Sequence, residues 1–540
     1  MKYKFLTYVP VLAAALASFT SCSEGFLDRE PEGSYITKDQ LEKALKWNPN
    51  IMLGYEQGVV RAMTRNGAGG STYQHDFGQK STDLATDLIS HDMVMSMGSN
   101  YGYWKEECNG QSTVRTSHRT KAVWYTYYRM ISACNNAFSS IGSDEEAPQN
   151  ADVRIYWAEC KTARAYAYFN LENLYNGDYA TCKSKKVLPI YSLNTTGNQA
   201  PSTNEKVYEF ILKDLNEAIA AYKSAAEEGV APTSIDQPSL SVAYTLKAYA
   251  NLQMGNNQEA AAAAKLAIAQ TKADGLSILP KSNLYNGFNT INHNTNWMWG
   301  MDVTAENTGG LGTFWGMMDI FTYSYASAGD FKVINSDLFH QIPQTDARRG
   351  WFTENPFYNN TPSINFPNGL ATDMFGIPAK SDIALLPTGK FYSNKLTHSV
   401  GNRTGEDLDY DMSWESDIHF MRVEECYLIA AEAEARQNHL TEACTYLKAI
   451  LDNRDEAKAA AISSMTQEQL LDEIFFNWRV EMWGEGKSLM TFKRFHKNIE
   501  IPKNDDFDGT SKYPWDSKKL IFAIPDQELK YNPLMKEADQ

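Results

Sequence analysis

The sequence predicts a mainly α-helical protein, in which helical hairpins form a scaffold and a long irregular segment is inserted between two of them. Three observations lead to this fold class. Apolar and small residues recur at helical spacing from Asp417 to Arg454, on either side of a predicted turn at Asn438–His439. A similar pattern occupies Ser241 to Gln270. Between the two, from residue 276 to residue 416, helical periodicity vanishes.

The two periodic stretches match each other when the earlier one is shifted by 183 positions. The residues paired by this shift include Ala248 with Ala431, and Gly255–Asn256 with Asn438–His439. A further Ala-rich helix, Ala158 to Tyr175, is followed by a partner from Val207 to Tyr222. Repeated hairpins of tetratricopeptide type bury their apolar faces by stacking on one another. The sequence therefore predicts a tetratricopeptide-like scaffold, which by itself names no ligand.

The composition is that of an acidic globular chain. Hydrophobic residues make up 43% and aromatic residues 12% of the 540 positions, which is enough for a large core. The net charge of −16 argues against nucleic acid and against an anionic membrane surface as partners. After the first twenty residues, no apolar run is long enough to cross a bilayer. The seven cysteines show no zinc spacing, so most of the six that follow Cys22 are expected to be small buried hydrophobic residues.

Residues 1–21 have the plan of a secretion signal that ends at a lipoprotein cleavage site. Two lysines precede an apolar stretch, Phe5–Phe19, and small polar residues then lead to Cys22. The Phe-Thr-Ser-Cys order resembles a bacterial lipobox, although that motif usually has Leu three residues before the cysteine. We expect cleavage before Cys22 and acylation of this residue. Residues 22–40 are acidic and lack periodicity, so they are expected to be a tether between the anchor and a folded body.

Ten short motifs are distributed over nearly the whole chain. Besides the Ala-rich hairpin they are CSEGFLD, TDLISHDMV, WYTYYRMISACNNA, AECKTARAYAYFNL, VYEFILKDLNEAI, DARR, HFMRVEECYLIAAEAEA, NWRVEMWGEGKSLMTFKRF and FAIPDQELKYNP. Their order resembles the SusD/RagB family of Bacteroidetes outer-membrane lipoproteins. The resemblance implies a helical scaffold with irregular inserted loops that carry the ligand. It also implies a nutrient-binding lipoprotein on the cell surface, held in the outer membrane by its lipid, that delivers its ligand to a SusC-like TonB-dependent transporter.

Five segments follow from these features. They are a signal at 1–21, the acylated cysteine and tether at 22–40, an N-terminal helical region with tetratricopeptide-like hairpins at 41–275, a loop-rich ligand-binding region at 276–416, and the C-terminal hairpin with closing helices at 417–540.

The sequence contains no catalytic constellation. Asp83, Asp87 and Asp92 supply carboxylates, but their four- and five-residue spacing puts them on or near one short helix. Hydrolysis of a glycosidic bond needs two carboxylates on opposite sides of the substrate. The nine histidines are dispersed, without the H-E-x-x-H pattern of zinc proteases. No enzymatic activity, cofactor or metal is therefore expected, in agreement with the non-enzymatic family that the chain resembles.

The region from Leu276 to Ser416 is the expected ligand site, because aromatic residues stand there beside Gly, Asn and Thr. A sugar ring presents an apolar C–H face that stacks on an aromatic ring, while amides and carboxylates bind its hydroxyls. The resemblance adds the loop from Tyr101 to Trp104. The predicted aromatic contacts are Trp104, Trp299, Trp315, Tyr323 and Tyr325, with Trp104 and Trp315 as the main stacking platforms. The predicted hydroxyl partners are Asn296 and Asp330.

Two functions from this reasoning stay open. The first is a surface lipoprotein that captures a glycan or oligosaccharide and passes it to the transporter. The second has the same scaffold and transporter but a peptide as ligand. The abundance of aromatic and amide side chains favours the glycan. An anchored glycoside hydrolase is the least favoured alternative, since the opposed carboxylates are missing.

Overall fold

The structure is a computed structural model that describes residues 38–71, 74–95, 104–285, 287–304, 312–319, 324–326, 330–353, 391–393, 395, 416–501 and 512–539. The chain divides into two compact units, Met1–Ile51 and Met52–Gln540. In the first unit, α1 (Lys38–Trp47) is the described helix. The predicted boundaries at 275/276 and 416/417 both fall inside the second unit, which is treated below.

The second unit is mainly helical, as predicted. Its helices are α2 (Leu53–Thr64), α3 (Gln79–Ile89), α4 (Trp104–Cys108), α5 (His118–Ile141), α6 (Ala151–Tyr175), α7 (Tyr179–Cys182), α8 (Asn204–Glu227), α9 (Leu240–Gln253), α10 (Asn257–Ala273), α11 (Phe314–Met318), α12 (Ser336–Gln341), α13 (Val423–Arg436), α14 (Leu440–Leu451), α15 (Glu456–Ala461), α16 (Gln467–Glu481), α17 (Ser488–Arg494) and α18 (Asp526–Tyr531). Short 3₁₀ helices lie at Lys281–Asn283, Ile291–His293, Ala347–Trp351, Ile462–Ser464, Lys518–Leu520 and Pro533–Glu537.

The strands are short. They are β1 (Met93–Met95), β2 (Lys186–Pro189), β3 (Pro201–Thr203), β4 (Trp297–Met301), β5 (Lys332–Ile334), β6 (Phe352–Thr353), β7 (Phe391–Ser393), β8 (Ile418–Arg422), β9 (Ile499–Glu500) and β10 (Lys512–Tyr513). One sheet has four strands in the order β1-β5-β7-β6, and the pairs β2–β3, β4–β8 and β9–β10 are antiparallel ribbons.

The long helices pack side by side in a row that follows the chain. Helix α5 packs on α6, α6 on α8, α8 on α9, α9 on α10, α10 on α13, and α13 on α14. Helix α6 is buried along nearly its whole length, and its small residues Ala158, Ala163, Ala165 and Ala167 let its neighbours approach closely. The predicted helical pairs are therefore present, and their tetratricopeptide character stays a prediction.

The two hairpins predicted to be related turn in the same way. Gly255 lies in one turn with a φ of 77°, and Asn438 lies in the other with a φ of 61°. Both angles are in the left-handed region. The amide of Asn256 donates to the carbonyl of Asn251 at 2.9 Å. The amide of His439, 183 positions later, makes the equivalent bond to Glu434 at 3.0 Å. These bonds satisfy carbonyls at the end of each first helix and fix the direction of the second.

The irregular middle region is attached to the C-terminal hairpin through β4 and β8. Trp297 lies opposite Arg422, and Met301 lies opposite Ile418. The register shifts on both sides of Trp299. At Gly300 a Cβ atom would lie 2.5 Å from the carbonyl oxygen of Ile418, so the close approach of the two strands depends on this glycine.

A second attachment joins the segment from Asp87 to Asp92 to the end of α16 and the turn that follows it. Asp87 on α3 accepts the amide of Gly484 at 2.7 Å through Oδ2. Asp92 accepts Nη2 of Arg479 at 2.6 Å. Burial raises the pKa of Asp87 to about 8, and the neighbouring Asp92 and Asp83 add to the rise. The aspartates considered above as acid–base groups are thus buried structural groups.

Cysteine and membrane expectations can be compared with the described residues. Five of the six described cysteines are buried, Cys444 is half-buried, and all six are free thiols. No described helix is both long and apolar enough to cross a membrane.

Candidate functional site

The two tryptophans predicted as stacking platforms lie in the core. Trp104 begins α4 and is 0% exposed. Cζ of Arg119 lies 4.8 Å and Nζ of Lys332 lies 4.7 Å from its ring centroid. Trp315 on α11 is 1% exposed, and its Nε1 donates to the carbonyl of Asp417 at 3.1 Å. The prediction that these rings are exposed to a ligand is wrong, because protein groups already surround both.

Trp299 is buried as well. Its Nε1 donates to the carbonyl of Asp236 at 2.9 Å. Its ring makes edge contacts with Tyr166 of α6 and Phe420 of β8, at centroid distances of 5.0 and 5.3 Å. Trp299 therefore anchors β4 to the scaffold, and its predicted contact with ligand is wrong for the same reason.

The two predicted hydroxyl partners are inaccessible. Nδ2 of Asn296 donates to both carboxylate oxygens of Glu424, at 3.1 and 2.9 Å. Oδ2 of Asp330 lies 3.4 Å from Nζ of Lys332. Both residues are 0% exposed: Asn296 donates to a buried carboxylate, Asp330 pairs with a buried ammonium, and neither can meet a sugar hydroxyl at the surface. This part of the site prediction is also wrong.

The remaining predicted positions stay predictions. Tyr325 is half-buried, which leaves part of its side chain accessible. Tyr323, the loop at 101–103 and Cys22 lie outside the described residues.

The described residues do form an aromatic cleft elsewhere, with a volume of about 430 Å³. Its walls are one face of α5, the loop that follows β2, and α18. Among its lining residues are Tyr125, Tyr128, Ser132 and Asn136 of α5, Tyr191 of the loop, and Glu528 of α18. It is called the tyrosine cleft below. The four α5 residues recur at three- and four-residue intervals, so they share one face of the helix.

Three half-buried tyrosines give the cleft its aromatic surface, Tyr125, Tyr128 and Tyr191. The rings of Tyr128 and Tyr191 meet edge to face at 5.8 Å and 89°. The buried ring of Trp124 supports Tyr128 at 4.8 Å, and the Tyr128 hydroxyl donates to the carbonyl of Pro189 at 3.0 Å. Contacts on several sides therefore hold the Tyr128 ring in place before any ligand arrives.

A buried ionic network positions the loop wall. Nδ2 of Asn135 donates to the carbonyl of Tyr191 at 3.3 Å, and Oδ1 of Asn135 accepts Nη1 of Arg164 at 2.7 Å. Arg164 also binds Asp144, whose Oδ2 accepts the amide of Leu193 at 3.1 Å. Burial alone would raise the pKa of Asp144, but Arg164 outweighs it and holds this pKa at about 2. The loop is thus fixed to α6 through charged hydrogen bonds.

Polar groups remain for a ligand beside the rings. Within the described part of the chain, the Ser132 hydroxyl and the Asn136 side-chain amide have no hydrogen-bond partner. Glu528 accepts Nδ2 of Asn532 at 3.0 Å through Oε1. Burial and the carboxylate of Glu528 raise the pKa of Tyr125, so its phenol stays protonated at neutral pH. Flat apolar faces with hydroxyl and amide groups at their edges suit a sugar ring.

The tyrosine cleft lacks the groups that glycoside hydrolysis requires. Glu528 is the one carboxylate among the described lining residues, whereas hydrolysis needs two that face each other across the bond. Across the described residues, no group of three His, Cys, Asp or Glu side chains could hold a metal ion.

A second cleft, of about 480 Å³, is less suited to a sugar. Its aromatic residues, Phe475 and Phe492, are 9% and 5% exposed and lie beneath Arg479. Arg479 is itself paired with Asp92 at 2.6 Å. The two phenylalanine rings described in this cleft therefore offer no open face to a sugar.

Sequence reasoning missed the tyrosine cleft although a signal was present. The segment WYTYYRMISACNNA was used only as one of the ten motifs that carry the family resemblance. Tyr125, Tyr128, Ser132 and Asn136 lie on one face of it, while Tyr127 lies on the buried face. Sorting the helix by face would have revealed a stripe of tyrosine, serine and asparagine.

Two family models match the sequence. One, described as starch-binding and associating with the outer membrane, matches residues 66–248, and the SusD family model matches residues 376–539. A SusD-like protein of Bacteroides ovatus is 25% identical over 240 residues, which are 42% of this chain and 36% of that protein. The chain thus spans about a third of the length of this curated relative.

Solved structures are similar over nearly the whole fold. A SusD-like carbohydrate binding protein from Bacteroides vulgatus has a TM-score of 0.71 at 20% identity, covering 91% of this chain and 98% of that one. Surface glycan-binding protein A from Bacteroides thetaiotaomicron, in complex with laminarihexaose, has a TM-score of 0.63 at 16% identity, covering 89% and 97%. At these identities the likeness concerns the fold. The two family matches, over residues 66–248 and 376–539, together cover more than half of the chain, and the conclusion is that the chain belongs to the SusD family.

Proposed function

We propose that the protein is a cell-surface lipoprotein that binds glycans and delivers them to a SusC-like TonB-dependent transporter of the outer membrane. Glycan binding is assigned to the tyrosine cleft. The protein acts by binding and not by catalysis, in keeping with a family of carbohydrate-binding proteins.

The observation that carries this proposal is the lining of the tyrosine cleft. The rings of Tyr125, Tyr128 and Tyr191 provide partly exposed apolar faces, and Ser132 and Asn136 provide unused polar groups beside them. Stacking on an aromatic ring contributes about 0.5–1.5 kcal/mol beyond area burial. Because a cleft with several such faces can make several stacking contacts, it can bind a sugar chain although each sugar ring has little apolar surface.

The relatives support the same class of ligand. One matching family model is described as starch-binding, and one similar structure holds laminarihexaose. Both are glucose polymers, although their linkages differ. Starch and laminarin oligosaccharides are therefore sensible first probes for this chain.

The anchor and the partner are further parts of the proposal. Acylation of Cys22 would hold the protein in the outer membrane with its body at the cell surface, since several inserted acyl chains give stable attachment. The family description, association with the outer membrane, supports this location. Labelling of cells with a palmitate analogue should mark the protein, and Cys22→Ala should abolish the label. Persistent labelling of that variant would contradict the anchor.

Calorimetry on the purified full chain against a panel of polysaccharides and peptides tests the ligand class. We expect binding of at least one glycan and of no peptide. Binding of peptides alone would favour the peptide-delivering alternative. For the partner, affinity purification from detergent-solubilised membranes should recover a TonB-dependent transporter, and its absence from the eluate would count against the delivery role.

A further inference from the structure

We infer that Tyr531 is an aromatic platform just outside the tyrosine cleft, and that the site therefore takes an oligosaccharide chain long enough to reach both. This inference rests on the proposed function and specifies its ligand as a run of several sugar units, in contrast to a single sugar or a chain end.

The position of Tyr531 follows from α18. Glu528 lines the cleft, and Tyr531 comes three residues later on the same helix. Residues three apart lie on one face of a helix, with Cβ atoms about 5–6 Å from each other. Tyr531 thus continues the cleft by one helical turn. Its side chain is largely in solvent, with 67% of the residue exposed.

The backbone that carries this ring is held firmly. Nδ2 of Asn198 donates to the carbonyl of Tyr531 at 3.0 Å. Nδ2 of Asn532 donates to the carbonyl of Gln199 at 2.9 Å and to Glu528 at 3.0 Å. These bonds tie α18 to the segment that continues from the loop wall of the cleft. The backbone at Tyr531 is therefore fixed relative to that wall, which lowers the entropy lost when a ligand spans both.

The pKa of Tyr125 indicates that Tyr531 lies beside the cleft. Burial is the main cause that raises the pKa of Tyr125, and Glu528 and Tyr531 contribute to the rise in that order. Glu528 and Tyr531 are thus both close enough to Tyr125 to act on it. One face of Tyr531 is covered by Lys530, whose Nζ lies 5.3 Å from the ring centroid. The opposite face is the one that a sugar ring can stack on.

A chain that covers the cleft and Tyr531 makes one more stacking contact than a chain that fills the cleft alone. A single aromatic contact of about 0.5–1.5 kcal/mol corresponds to a two- to tenfold gain in affinity. The inference thus predicts that affinity rises with chain length up to the length that reaches Tyr531, and that this rise depends on the ring.

The test uses the full chain and two series of probes, maltose to maltohexaose and laminaribiose to laminarihexaose. Calorimetry compares the wild type with Tyr531→Ala and Tyr531→Phe. We expect Tyr531→Ala to weaken hexasaccharide binding about two- to tenfold and to leave disaccharide binding unchanged. Tyr531→Phe keeps the ring, so it should match the wild type at every length.

Each other outcome is decisive. Equal hexasaccharide affinity of Tyr531→Ala and wild type overturns the inference and leaves the proposed function intact. A loss that is the same for disaccharide and hexasaccharide overturns it too, since Tyr531 would then act inside the cleft. If neither series binds to the wild type, the inference is overturned for glucans, and the panel of other glycans decides separately on the proposed function. Melting curves of all three proteins verify the fold. If Tyr531→Ala melts early, a second ring-deleting variant, Tyr531→Ser, takes its place. Its hexasaccharide and disaccharide affinities are then compared with those of Tyr531→Phe.

Discussion

Oε1 of Glu481 lies 2.9 Å from Nη1 of Arg422, and neither side chain is accessible to solvent. The pair belongs to a buried ion cluster of four cations and four carboxylates: Arg348, Lys395, Arg422 and Arg454 with Asp346, Glu424, Glu481 and Glu485. Among the described residues, the charges of both signs in this cluster are equal in number, which is how the interior tolerates so many. The cluster joins α13, α16 and the Arg348 turn of the middle region.

Replacing Glu481 should be strongly destabilising. Its carboxylate accepts bonds from Arg348, Arg422 and Arg454 at 2.9–3.2 Å. Although burial acts to raise it, Arg454 and Arg422 hold the pKa of Glu481 below its usual value. Glu481→Gln leaves three guanidinium groups undercompensated, so we expect a loss of about 3–5 kcal/mol in denaturant unfolding.

The matched control is Asp452→Asn, which removes a pair between the exposed Lys448 and Asp452. Exposed pairs of this kind contribute about 0.3–0.5 kcal/mol. Equal unfolding free energies of Glu481→Gln and the control would show that the cluster does not stabilise the fold.

The raised pKa of Asp87 predicts a specific pH dependence. The folded protein keeps a proton on Asp87 up to pH of about 8, whereas the unfolded chain releases it near the ordinary value of 3.8. The contribution of this group to stability is therefore lost as pH rises from about 4 to about 8. Asp87→Asn does not titrate, and its side-chain oxygen can still accept the Gly484 amide. The stability of Asp87→Asn relative to wild type should rise across this window.

Urea unfolding at pH 4, 6 and 8 measures this difference. Asp452→Asn again serves as control, because its carboxylate is half-exposed and its replacement should give no such trend. A constant difference between Asp87→Asn and wild type over the three pH values would mean that Asp87 is ionised in the folded protein throughout.

The scaffold could be predicted from the sequence because its signals are local. Helical periodicity reports which face of a segment is buried, and the turn at Asn438 was placed from residues within a few positions of it. The equal left-handed conformations of Gly255 and Asn438 confirm that the two hairpins turn alike. The repeat was visible because each unit carries its own turn and its own pattern.

The site could not be predicted, because burial of a loop residue depends on partners far along the chain. Trp104 is enclosed by Arg119 and Lys332, and Trp315 by the backbone of Asp417, about a hundred residues away. A stretch rich in aromatic residues, Gly and Asn gives no indication of which rings such partners cover. Tyr128 shows the converse, since its segment was used as a family motif and its accessible face was overlooked.

Two glycines with the same backbone conformation should respond differently to alanine. Gly486 and Gly142 have φ of 73° and 80°. A Cβ at Gly486 would lie 2.5–2.6 Å from Oδ1 and Cα of Asp83, whereas a Cβ at Gly142 meets nothing within 4 Å. Gly142→Ala should cost about 1 kcal/mol for the left-handed conformation. Gly486→Ala should cost about 1–3 kcal/mol more, because α3 has to move away from the turn.

Thermal and denaturant unfolding of both variants measures this contrast, in which Gly142→Ala is the control for backbone strain. Equal losses of stability would mean that α3 can shift at Asp83 at no energetic cost, and that the contact between α3 and the turn at Gly486 is loose.

The last prediction concerns Tyr125, which lines the tyrosine cleft. Nζ of Lys121 lies 5.9 Å from its ring centroid, on one face, so a sugar would stack on the other. Tyr125→Ala removes that face and should weaken binding of the glycan found in the panel about two- to tenfold. Tyr125→Phe keeps the ring and removes only the hydroxyl, which could bond to the ligand, so its effect on affinity should be smaller.

Leu266→Ala is the matched control, because Leu266 is a 49% exposed apolar residue on α10, which supplies no lining residue to the cleft. Calorimetry should show normal affinity for this variant, and melting curves should leave all three variants close to wild type. If Tyr125→Ala binds as well as Leu266→Ala does, stacking in the tyrosine cleft contributes nothing and the glycan binds elsewhere. If Tyr125→Phe loses as much affinity as Tyr125→Ala, the phenol hydrogen bond, and not the ring face, is what the ligand recognises.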